Sequence, residues 1–130
     1  MICDAHVHIG RYYKYALGAG DRDRVDFYYS PRFIAEIVKD AGVSEFIFSS
    51  ISCQQCISTE EAEREAQAAV EAFGTGAHPF LWITGPSFDK DPAIKALDSG
   101  IWHGVKMHEL ETPWVKSRPK DLERILSILE

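Results

Sequence analysis

The sequence predicts an α/β fold built on a parallel sheet, and three observations lead there. Short apolar runs alternate four times with segments of helical periodicity. Cap and stop residues (Ser-Pro, Gly, Gly-Pro, Asp-Pro) fall between those segments. The length of 130 residues, 45% of them apolar and 26% charged, suits one domain, residues 1–130, with a substantial core and no room for a second. Successive strand–helix units imply parallel strands joined by right-handed crossovers. Two architectures satisfy that pattern, an open doubly wound sheet and part of a (β/α)₈ barrel.

Met1 to His8 reads as the first strand, and a long loop from Ile9 to Ser30 follows. Ser30-Pro31 pairs an N-cap residue with a proline at the first helical position, where its missing N–H is not needed. Phe33, Ile34, Ile37, Val38 and Ala41 then fall at helical spacing, and Gly42 supplies the stop. Glu45 to Ile51 is the second strand. Ser58 and Glu61 match a capping box that opens a helix through about Phe73, closed by Gly74 and Gly76. Pro79 to Thr84 is the third strand, with a short helix behind Asp91-Pro92 that ends at Ser99-Gly100. Gly104 to His108 is the fourth strand, and the final helix places Leu122, Ile125, Leu126 and Leu129 on one stripe.

Charge and cysteine usage exclude several classes. Twenty acidic against 14 basic side chains leave a net charge of −6, the wrong sign for a nucleic-acid or anionic-membrane binder. No run approaches the ~18 apolar residues of a membrane span, and Asp4 interrupts any signal-peptide pattern. Three cysteines do not make a secreted disulfide framework, so a cytoplasmic location is expected.

Chemistry concentrates at two strand ends. In Asp4-Ala5-His6-Val7-His8, strand alternation points His6 and His8 the same way, a spacing that suits two nitrogen ligands of one metal ion. Asp4 is expected on that face too, orienting one imidazole. In Gly104-Val105-Lys106-Met107-His108, Val105 and Met107 should face the helices while Lys106 and His108 enter the site. A lysine there calls for a carboxylate, a metal-linked group or substrate, and His108 suits acid–base work or substrate contact.

These residues carry a family resemblance. Asp4-Ala5-His6-Val7-His8-Ile9-Gly10, followed far downstream by His103-Gly104-Val105-Lys106-Met107-His108, resembles the amidohydrolase superfamily, and within it the amidohydrolase-related metal-dependent hydrolases. Phe46 to Ser50 and Phe80 to Thr84 stand where strands two and three should lie. The resemblance implies a parallel (βα)4 half of a TIM-type (β/α)₈ barrel, with His6 and His8 as metal ligands. It also implies a divalent cofactor, zinc first, and hydrolysis of a small molecule at a carbonyl or phosphoryl centre. Lys106 matches a position where some members carry a carboxylated lysine that bridges two metals.

Members also supply two histidines and an aspartate from strands five, six and eight, which this sequence does not contain. The last helix has no C-cap signal and no following strand. Four strands leave one sheet face bare, so either two copies form a homo-oligomer or, as we expect, the chain is part of a longer barrel and inactive alone. The bare face should be apolar low down and polar at the top. Decarboxylation within the same family, a His-x-His phosphoesterase or deoxyribonuclease, and a non-catalytic domain are the competing functions. Secondary signals are Cys53 and Cys56 in a loop, Cys3 in the core, and His78 and His103 as structural residues ahead of their strands. Glu109 and Glu111 follow the fourth strand. The Ile9–Ser30 loop holds tyrosines that either close over substrate or anchor the loop to helices.

Overall fold

The computed structural model describes residues 1–15, 24–51, 59–83, 92–107 and 119–129. Among these residues, five strands and four helices follow in the order β1 (Cys3–Tyr15), β2 (Arg24–Tyr29), α1 (Pro31–Asp40), β3 (Glu45–Ser50), α2 (Thr59–Phe73), β4 (Ala77–Trp82), α3 (Pro92–Leu97), β5 (Gly104–Lys106) and α4 (Pro119–Leu129). The sheet runs β2-β1-β3-β4-β5. Strands β1, β3, β4 and β5 are mutually parallel, in chain order, as four βα units with right-handed crossovers require. This is the (βα)4 arrangement of half a (β/α)₈ barrel. Among the described residues no helix is long and apolar enough to cross a membrane.

Neighbouring helices touch in sequence, α1 with α2, α2 with α3 and α3 with α4, so they form one layer on one side of the sheet. The core lies between the two layers. Phe46, Phe48, Ile9 and Leu81 enter it from the strands and Ile83 from just beyond β4, each at most 1% exposed. Burying each of the two phenylalanines contributes about 1.5–3 kcal/mol. Helix α2 answers with Ala62, Ala66 and Ala69, all fully buried. Spaced at i, i+4 and i+7, these small side chains let the helix axis approach the sheet closely. In α1 the buried stripe is Pro31 and Ala35, with Ile34 and Val38 packed beside them. Phe33 and Ile37, expected to share that stripe, stay 59% and 48% exposed. Gly42 ends α1 as expected: its φ of +78° suits a residue without Cβ, and the Val43 N–H reaches back to the Val38 carbonyl at 3.2 Å. Ser30 stands at the N-cap but makes no side-chain cap bond.

The segment read as a long loop is largely a hairpin. Beyond Gly10, β1 continues to Tyr15 and pairs antiparallel with β2, from Gly10↔Tyr29 to Tyr15↔Arg24. Arg-Tyr-Tyr-Lys-Tyr and Arg-Val-Asp-Phe-Tyr-Tyr are rich in aromatic residues that favour a pleated backbone, and this outweighs their polarity. Gly10 is the pivot between the two pairings, with φ +92°. A Cβ there would meet the Glu65 carboxylate and lie 2.9 Å from Ser50 Oγ. Glu65 itself is buried, and the Ser50 hydroxyl donates to it at 2.5 Å.

Candidate metal centre

Strand β1 carries both histidines, and its pairing with β3 decides how they point. Asp4 is in register with Phe46 and Val7 with Phe48, so three steps along β1 match two along β3. This bulge sits at Ala5 and His6. Below it, alternation puts Asp4 on the same side as core residue Phe46; above it, Val7 and Ile9 face the core while His8 faces away. Asp4 therefore does not orient an imidazole as expected. Its Oδ1 accepts the His6 backbone N–H at 3.0 Å and closes the bulge instead.

His6 and His8 nevertheless meet. Their Nε2 atoms are 2.9 Å apart, with the rings nearly perpendicular at 84°. Lys106 arrives from β5, its Nζ 2.9 Å from His6 Nε2 and 3.3 Å from His8 Nε2. Three inter-strand spacings separate β1 from β5, about 14 Å on a flat sheet. Side chains standing off a flat sheet could not close that gap, so the sheet is curled with these three residues on its concave side.

Two further groups fix the arrangement. Ser49 Oγ lies 3.3 Å from His8 Nδ1 and accepts its N–H in the tautomer whose Nε2 lone pair faces His6 and Lys106. The Trp82 indole stacks on His8 at 5.2 Å and lies 4.4 Å beneath Lys106 Nζ. Burial, then the Lys106 and His6 charges, lower the His8 pKa from 6.5 to about 4. His8 is thus neutral at pH 7, the form a metal ligand requires. Burial also lowers the Lys106 pKa. A cavity of about 330 Å³ opens beside the group, with His6, Ser49, Phe80 and Lys106 in its wall.

The donor set fits a divalent ion in part. Two imidazole Nε2 atoms converge on one point, and the Lys106 nitrogen is the group now held there. Tetrahedral zinc with bonds of ~2.0–2.1 Å would place two nitrogens ~3.3 Å apart, a shift of a few tenths of an ångström. Among the described residues, however, no group of three or more His, Cys, Asp and Glu side chains is placed to hold a metal ion.

His108, Glu109, Glu111, Cys53 and Cys56 lie outside the described residues. Cys3 is an exposed free thiol, not a core residue, because its end of β1 borders the bare face. His78 and His103 lie at the opposite end of the strands from His6 and His8, as anticipated. They also make the lower part of the bare face more polar than expected, although Ile47 and Phe80 lie there too. Tyr28 borders a cavity with Arg32, Glu61 and Glu65 on the helix side, which favours anchoring over closure on substrate. Ser49 and Trp82 were not singled out in the sequence. Alternation from Ile47 and Phe80 places both on the concave face, and a serine ending an apolar strand was the available signal.

No family model matches this chain, and no match is found among curated proteins or solved structures.

Proposed function

We propose that the chain carries part of the active site of a metal-dependent hydrolase of the amidohydrolase type, with His6 and His8 as ligands of one divalent ion. The observation supporting this reading is the convergence of two imidazole Nε2 atoms on one point at the carboxyl ends of curled parallel strands, where barrel enzymes place their chemistry. Imidazole donors suit zinc, nickel or copper better than magnesium. Bound zinc would bring a water pKa down towards ~7 and polarise a carbonyl or phosphoryl oxygen.

The protein's own groups have separate tasks. Ser49 and Trp82 fix the His8 ring, and Asp4 fixes the bulge that aims His6. Lys106 swings off the imidazoles to hold a carbonyl or anionic group of a small-molecule substrate. His108, two residues beyond Lys106 in the sequence, serves as proton donor or acceptor. Two imidazoles fill half of a four-coordinate shell, so turnover requires ligands beyond those described, as in a complete barrel.

The test is metal retention by elemental analysis after equilibrium dialysis, with surface variant Lys39→Ala as control. His6→Ala and His8→Ala should each lose one zinc ion per chain relative to wild type. Retention equal to wild type in both would end the assignment. In the complete protein, hydrolysis of small esters, amides and phosphoesters should disappear in the same two variants and persist in Lys39→Ala.

A further inference from the structure

A second set of nitrogen donors lies at the other end of the strands, and the chemistry proposed above does not use it. His78 from β4 and His103, just ahead of β5, bring their Nδ1 atoms to 3.0 Å. On its far side, His78 Nε2 contacts the Glu45 carboxylate from β3. In the neutral ring whose Nε2–H donates to Glu45, the His78 Nδ1 lone pair faces His103. A carboxylate behind one imidazole nitrogen, with the other nitrogen aimed at a second imidazole, is the arrangement that orients histidine for a metal. The rings are tilted at 49° with centroids 5.2 Å apart, so they are not stacked face to face. All three residues line a cavity of about 450 Å³, together with Cys3 and Phe80, which leaves room for an ion and its water.

We infer that His78 and His103, with Glu45 orienting His78, form a second site for a divalent transition ion, distinct from the His6–His8 centre. The chemical class follows from the donors. Imidazole nitrogen suits Zn²⁺, Ni²⁺, Co²⁺ and Cu²⁺, whereas Mg²⁺ and Ca²⁺ seek oxygen. A separation of 3.0 Å matches two cis positions of an octahedral or square-planar ion with bonds of ~2.1 Å, and tetrahedral zinc needs the pair to open to ~3.3 Å. The remaining positions face the cavity and belong to water. Such an ion ties β4 to the segment entering β5, while Glu45 links both to β3.

Tag-free His6→Ala/His8→Ala protein, which lacks the upper imidazoles, tests this separately from the proposed function. Dialysed against Ni²⁺ or Zn²⁺ at pH 7, it should retain one ion per chain and melt at a higher temperature with the ion than without. Adding His78→Ala or His103→Ala should abolish both effects. Adding Glu45→Gln should weaken binding about 10- to 100-fold, and Mg²⁺ should give neither effect. If the double variant does not fold by circular dichroism, His78→Ala in the wild-type background should lower the ion count by one. A folded double variant that retains no ion, or a count unchanged by His78→Ala, would overturn the inference.

Discussion

Replacing Gly10 by alanine tests the pivot of β1 with a magnitude that can be worked out in parts. At φ +92° an alanine is strained by about 1–2 kcal/mol. Its Cβ would also collide with the Glu65 carboxylate and crowd Ser50 Oγ. Moving that buried acid breaks the bond the Ser50 hydroxyl donates to it, worth about 1.5–3 kcal/mol for a charged acceptor. The expected destabilisation is therefore about 2.5–5 kcal/mol. In urea, at a slope of about 2 kcal/mol per M, the midpoint should fall by roughly 1–2.5 M. The two contributions separate in a double-mutant cycle. In the Glu65→Ala background the collision with the carboxylate is gone and the Ser50 hydroxyl is free to turn aside, so Gly10→Ala should cost little beyond the backbone part, about 1–2 kcal/mol. An equal cost in both backgrounds would refute the packing argument, and a cost below about 0.5 kcal/mol in wild type would refute both parts.

Two further outcomes follow from the site. His8 has a folded-state pKa of about 4 against 6.5 for the free side chain, so below pH 6.5 the unfolded chain takes up a proton that the folded chain refuses. In metal-free protein this contribution is complete above pH 6.5, declines as the pH falls towards 4, and levels off below. Its ceiling is about 3 kcal/mol, reduced to about 1–2 by screening at a half-buried position. Urea titrations of wild type and His8→Gln at pH 7 and 4.5 should show a smaller acid loss in the variant. Asp4→Ala removes the acceptor for the His6 N–H and frees the bulge. Zinc affinity at the His6–His8 centre should fall about tenfold with the circular dichroism spectrum unchanged; unaltered affinity would show that Asp4 plays no part in aiming His6.

Much of the fold was legible because local signals agreed with the tertiary result. Gly42 stops α1, the Phe46/Phe48 alternation marks β3, and chain order alone gives the neighbours of β3 and β4. The hairpin was not, since Tyr-rich polar sequence supports both loop and strand, and only pairing between 10–15 and 24–29 decides. The bulge was invisible for a related reason: register is a property of two strands, and nothing within Asp4-Ala5-His6 reveals an extra residue. His6 and His8 survived that surprise because both fall at or beyond the irregularity, whereas Asp4 lies before it. Phe33 and Ile37 matched the helical period yet point outwards, because Ala35 and Pro31 sit on the line facing the sheet.

The span of Lys106 also has a meaning in time. Its contacts with His6 and His8 join residues 100 and 98 positions apart. No local turn, and no single βα unit, can form them. Closing so long a loop is entropically expensive until the intervening strands have docked, so these contacts belong to the last stage of folding. The nascent chain thus displays its two β1 imidazoles, unaccompanied by the lysine, for as long as β5 has yet to dock. During that interval the paired histidines are open to any passing soft cation, and the arrival of β5 brings in the ammonium that competes for the same lone pairs.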